Sequence, residues 1–127
     1  MAALALFALA GCEAHQPSQT GAEEAPREYL GIETRMMDEE LVNIRIAMKG
    51  ARGAEDIDAY TDCAVAQYAQ VKGYGFARKL RTKLSERGGV FNADAIYTLS
   101  AEMPRGIRII EADKAIADCK AQSIPTV

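Results

Sequence analysis

Leu41-Val42-Asn43-Ile44-Arg45-Ile46-Ala47-Met48-Lys49 places a large apolar residue at every second position from Val42 to Met48. Val42, Ile44, Ile46 and Met48 share one side of an extended chain, while Asn43, Arg45 and Lys49 share the other. A strand of this kind buries one face and wets the other, which is the habit of antiparallel sheets. Tyr29 to Met37 supplies a partner strand, returned through the polar turn Asp38-Glu39-Glu40, and Gly50 to Gly53 ends the ladder.

Downstream, Glu55 to Lys72 has a helical period. Glu55, Asp56 and Asp58 crowd its first turn, where carboxylates complement the helix dipole, and Gly73 supplies a stop. Ile57, Tyr60, Ala64, Tyr68 and Val71 form one apolar face, with Cys63 beside it; Ala59, Ala66 and Ala69 keep the helix slim against a sheet. Tyr74 to Arg87 fits two descriptions. Phe76, Leu80 and Leu84 match a helix at four-residue spacing, and they also match alternate positions of a strand; the glycines at 73 and 75 favour the strand. Gly88-Gly89 turns the chain into a strand over Phe91 to Ser100, and Met103-Pro104-Arg105-Gly106 is a further turn. Isoleucines in Ile107 to Cys119 predict a last strand, followed by an irregular tail from Ser123 to Val127.

The order of elements predicts an α+β domain over residues 29–127, with one helix packed on an antiparallel sheet of about four or five strands. With 127 residues there is room for one ordinary core. A formal net charge of −3 gives no basic field for nucleic acid, and the absence of tryptophan argues against a stacking platform.

The N-terminal stretch carries an address. Ala2 to Ala10 is apolar, too short to span a bilayer, and runs into Leu9-Ala10-Gly11-Cys12, which resembles the lipobox of bacterial lipoproteins. The resemblance implies a signal peptide over residues 1–11, diacylglycerol on the Cys12 sulfur, cleavage before Cys12 and acylation of the new amino group. Acyl chains bury about 0.8 kcal/mol per methylene, so more than one anchors a soluble domain firmly. The alternative is a buried N-terminal helix ending at Gly11, with Cys12 an ordinary thiol. Residues 12–28 form a flexible tether rich in Gln, Ser, Thr, Gly and Glu, with Pro17 and Pro26. Glu13 stands where an aspartate would favour inner-membrane retention, so the resemblance implies the outer membrane, facing the periplasm.

With Cys12 lipidated, Cys63 and Cys119 remain as a pair, and an oxidising periplasm makes a disulfide the default. Free thiols in a cytoplasmic protein are the competing state. His15, the single histidine, lies in the tether away from any second cysteine, so no metal site is expected.

Thr34-Arg35-Met36-Met37-Asp38-Glu39, the strand after it and the helix running into Lys72-Gly73-Tyr74 resemble small proteobacterial envelope lipoproteins of unknown function. The likeness covers residues 30 to 80; it implies a fold and an address and carries no catalytic residues.

Chemistry is sparse. Ser85, Ser100 and Ser123 lack a glycine-elbow context, Gly73-Tyr74-Gly75 is a helix exit rather than a phosphate loop, and no cofactor motif is present. The carboxylate pairs Glu111 with Asp113 and Asp56 with Asp58 could serve acid–base work, or be merely solvated. On a strand, Lys79, Arg81 and Lys83 would form a cationic row for an envelope protein, peptidoglycan or anionic lipid; the plainer alternative is an edge strand guarded against aggregation. The expected function is therefore that of a lipid-anchored, non-catalytic envelope lipoprotein with a structural or binding role. The alternative is an envelope stress or redox sensor using Cys63 and Cys119.

Overall fold

The computed structural model of the chain describes residues 26 to 126. The expected signal peptide, Cys12, His15 and the tether up to residue 25 lie outside the described residues. Val42, Ile44, Ile46 and Met48 are buried on one face of β2 (Leu41–Lys49), and Arg45 and Lys49 are exposed on the other. β1 (Glu28–Met36) pairs with it through a register shift at Leu30, taking in Glu28 from the end of the expected tether. The chain then forms α1 (Ala54–Val71), β3 (Phe76–Arg87), β4 (Val90–Ser100), β5 (Ile109–Glu111) and α2 (Ala112–Ala121).

One five-stranded sheet results, in the order β1-β2-β4-β3-β5, with every ladder antiparallel. The chain is thus an α+β domain. β2 and β3 run the same way because β4 lies between them and opposes both, and α1 makes the crossover. Ala93, Ala95, Tyr97 and Leu99 on β4 join the buried residues of β2, and Ile57, Tyr60, Ala64, Val65 and Ala69 of α1 close over them. Small residues at the crossing let the helix approach the sheet. Val71, expected on this apolar face, is exposed instead, because the helix ends there. Gly73 ends α1 at φ 84°, with Gly73 N–H donating to Gln70 O and Tyr74 N–H to Ala69 O, a Schellman closure. Residues 76–87 are strand, so the helical alternative for this stretch falls.

The last element corrects the sequence expectation. Only Ile109 to Glu111 is strand, and residues 112–121 are a second helix. Alanine at 112, 115, 117 and 121 favours helix, Asp113 complements its first turn and Lys120 its last. The isoleucine signal is real but ends at Ile110. α2 packs against α1 and is bonded to it by the Cys63–Cys119 disulfide, with Cα atoms 6.0 Å apart.

That bond closes a loop of 56 residues, worth about 4 kcal/mol by chain entropy. Non-reducing urea denaturation should therefore show Cys63→Ser losing roughly 4 kcal/mol and the Cys63→Ser/Cys119→Ser double variant no more. Additive losses would contradict the pairing.

Candidate binding surface

Leu80 decides which way the cations of β3 face. Lys79 pairs with Tyr97 and Arg81 with Ile96, so Leu80 is an extra residue with no partner on β4. Because side chains alternate with period two, one extra residue moves the later side chains to the opposite face. Lys79 points beneath α1, whereas Arg81 and Lys83 stand on the uncovered face, opposite Ile96 and Asp94. The row expected from Lys79, Arg81 and Lys83 is therefore split.

Beneath α1, the Lys79 side chain is only 9 % exposed. Its Nζ lies 3.0 Å from Asp58 Oδ1 and 2.8 Å from Asp62 Oδ1, and 5.6 Å from the centre of the Tyr97 ring. Tyr97 donates its hydroxyl to Asp62 Oδ1 at 2.6 Å. Asp58 and Asp62 are one helical turn apart, so α1 presents both carboxylates to one ammonium. Side-chain exposures of 49 % and 35 % leave both carboxylates partly in water, which lowers the cost of burying the lysine. Burial, reinforced by the Asp62 charge, pushes the Tyr97 phenol well above its ordinary value of 10.0. The sequence does not group Asp58, Asp62 and Tyr97; its one local signal is two aspartates at four-residue spacing beside the apolar face of the helix.

The network borders a groove of about 500 Å³ between the N-terminal half of α1 and the outer edge of β3. Ile57, Leu84 and Ile110 give it apolar walls, and Arg108, held at φ 59°, stands at its rim. Thr82 Oγ1 is buried, with no hydrogen-bond partner among the described residues.

On the uncovered face, Glu33, Arg45, Asp94 and Lys83 lie side by side across four strands, alternating in sign. Arg45 Nε is 3.3 Å from Asp94 Oδ2, and Asn43 Nδ2 donates to Asp94 Oδ1 and, at 3.2 Å, to Ala95 O. The next row runs Arg35, Asn43, Ile96, Arg81. A depression of about 580 Å³ lies beside the charged row, floored by Gly31, Ala47, Asn92 and Ser85. Three of the four carboxylates considered for acid–base work have polar partners, Asp58 in the Lys79 clamp and Asp56 and Asp113 outside it. Asp56 accepts from Arg27 Nε and the Arg52 amide, the Arg27 bond foremost in holding its carboxyl below the ordinary value. Asp113 accepts from Gln70, and Glu111 precedes α2. Among the described residues no cluster of metal-ligating side chains occurs, and no helix is long and apolar enough to cross a membrane.

Lys79→Met should cost roughly 2 kcal/mol in chemical denaturation, since it strands two half-exposed carboxylates. Adding Asp62→Asn should recover part of that loss; strict additivity would deny the coupling. The raised Tyr97 value has a definite sign. Stability is fully present below about pH 10, where an unfolded tyrosine is neutral, and falls as pH climbs above it. Tyr97→Phe should lose less stability than the parent from about pH 9 to 11, with Tyr60, also raised by burial, leaving a residual slope.

A relative from Paracoccus denitrificans, described as an uncharacterized 26.9 kDa protein in the nqo8 5′ region, is 29% identical over 109 residues. The alignment covers 81% of this chain and 43% of the relative, so the chain spans less than half of that protein's length. No solved structure matches. A model of the YNQ4 C-terminal domain matches residues 29–123, taking in the sheet, both helices and both bonded cysteines. On that match the chain belongs to the YNQ4 C-terminal domain family.

Proposed function

We propose that this domain is a non-catalytic binding module of the bacterial envelope, anchored through lipid on Cys12 to the outer membrane and facing the periplasm. The observation that carries the reading is the Cys63–Cys119 disulfide, because such bonds persist in oxidising compartments and are rare in the bacterial cytosol. The lipobox-like Leu9-Ala10-Gly11-Cys12 points to the same compartment independently. Both bonded cysteines are almost fully buried, at 4 % and 3 %, which suits a structural bond better than a redox sensor needing access. Arg81 and Lys83, on the uncovered face, are the groups that meet an anionic partner; Lys79 belongs to the core clamp.

The intact, non-reduced mass of the protein purified from a bacterial membrane fraction tests this reading. The expected mass starts at Cys12, is raised by acyl chains and is lowered by two hydrogens for the disulfide. Cys12→Ser should release the protein from the membrane fraction. A full-length, unmodified mass with free thiols would overturn the anchor and the compartment together.

A further inference from the structure

β3 is longer than the strand that covers its outer edge. β5 pairs only with Phe76, Ala77 and Arg78, and the last bond of that ladder runs from Lys79 N–H to Arg108 O at 3.1 Å. From Leu80 to Arg87 the outer edge has no strand partner among the described residues. Half of the N–H and C=O groups of such an edge point away from β4 and offer a template for another strand.

Three further features of this edge bear on what could occupy it. The groove beside it receives Thr82 and Leu84 from the helix side of β3, and Thr82 Oγ1 there is buried with no hydrogen-bond partner among the described residues. On the other side of the same edge stand Arg81, Lys83 and Arg87, none of them ion-paired among the described residues. A second copy of this chain is disfavoured by charge. Residues directly opposite in an antiparallel pair share a face, so a two-fold pairing of this edge must be centred on a residue. Centring on 82, 83, 84 or 85 sets Arg81 against Lys83, Lys83 against itself, Arg81 against Arg87, or Lys83 against Arg87. Like charges directly opposite are destabilising.

We infer that the edge from Leu80 to Arg87 accepts an extended acidic peptide of a partner protein as an added strand. Alternate carboxylates of the peptide meet Arg81, Lys83 and Arg87, and the intervening small hydroxyl or apolar side chains enter the groove beside Thr82 and Leu84. The other sheet edge, β1, is a poorer template: it is broken by the irregularity at Leu30 and carries both Glu33 and Arg35. This inference rests on the reading of the domain as a binding module and names the partner's chemistry.

The test uses the full chain and a fluorescein-labelled peptide of about eight residues alternating glutamate and threonine, matched to the length of the free edge. Anisotropy should report binding, and amide exchange should show new protection at residues 80–87. N-methylation of alternate peptide nitrogens, which keeps the charge and removes the ladder, should abolish binding. Arg81→Glu/Lys83→Glu should weaken it about tenfold or more and transfer preference to a lysine–threonine peptide. Three results would overturn the inference: binding indifferent to N-methylation, protection at β1 instead of β3, or dimerisation of the chain through this edge. Protection of 80–87 already present in the free full chain, and lost on deleting residues 13–25, would assign the edge to the chain's own segment and overturn it as well. The two readings fail separately. An acylated mass without peptide binding removes only this inference, and peptide binding by a protein with an unmodified mass removes only the envelope address.

Discussion

α1 can hide only one face of the sheet, and most of the molecule follows from that limit. Val42, Ile44, Ile46 and Met48 on β2 leave water together with Ala93, Ala95, Tyr97 and Leu99 on β4, because a single slim helix reaches across both strands. Burial of this kind is worth roughly 25 cal/mol for each Å² of apolar surface, so the covered face supplies the main driving force. The other face must then hold itself in water. It does so with crossed charges on four neighbouring strands, Glu33, Arg45, Asp94 and Lys83, in place of an apolar surface that would aggregate. α2 leaves that face open and packs on α1 instead, where the disulfide fixes it.

Repeating patterns were legible in the sequence. β2 repeats a large apolar residue at every second position from Val42 to Met48, and α1 carries carboxylates at its start and a glycine at its stop, so both are read without tertiary information. The cysteine pair follows from counting once Cys12 is set aside. The register of β3 does not. Lys79, Arg81 and Lys83 alternate as they would in an unbroken strand, and nothing local marks Leu80 as the residue that leaves the ladder. A bulge is chosen by what each side chain meets on α1 and β4, which is tertiary information. α2 escaped detection for a related reason. Ile109 and Ile110 are strand-forming, and no glycine or proline separates them from the alanines after them.

The same bulge explains why a lysine sits under the helix at all. An unbroken strand that kept Arg81 and Lys83 on the wet face would carry Lys79 there too, leaving Asp58 and Asp62 with no cation beneath α1. With Leu80 displaced, one strand supplies both an internal ammonium and an external pair of cations. The internal one holds α1 to β3 and accepts company from the Tyr97 hydroxyl on the same carboxylate. Its role is architectural, and the polarity of the groove beside it follows from that role.

The external cations act in two directions at once. An uncovered strand edge invites pairing with any extended chain, further copies of the same protein included. Arg81, Lys83 and Arg87 on one side of one edge make the pairing of like with like costly in each central register. They do not make pairing costly in general, since an incoming strand of opposite charge gains where a copy would lose. A guard against self-association made of charges of one sign is therefore also a selector for partners of the other sign. The short β5, and the Thr82 hydroxyl that finds no partner among the described residues, mark the place where that selection would be exercised.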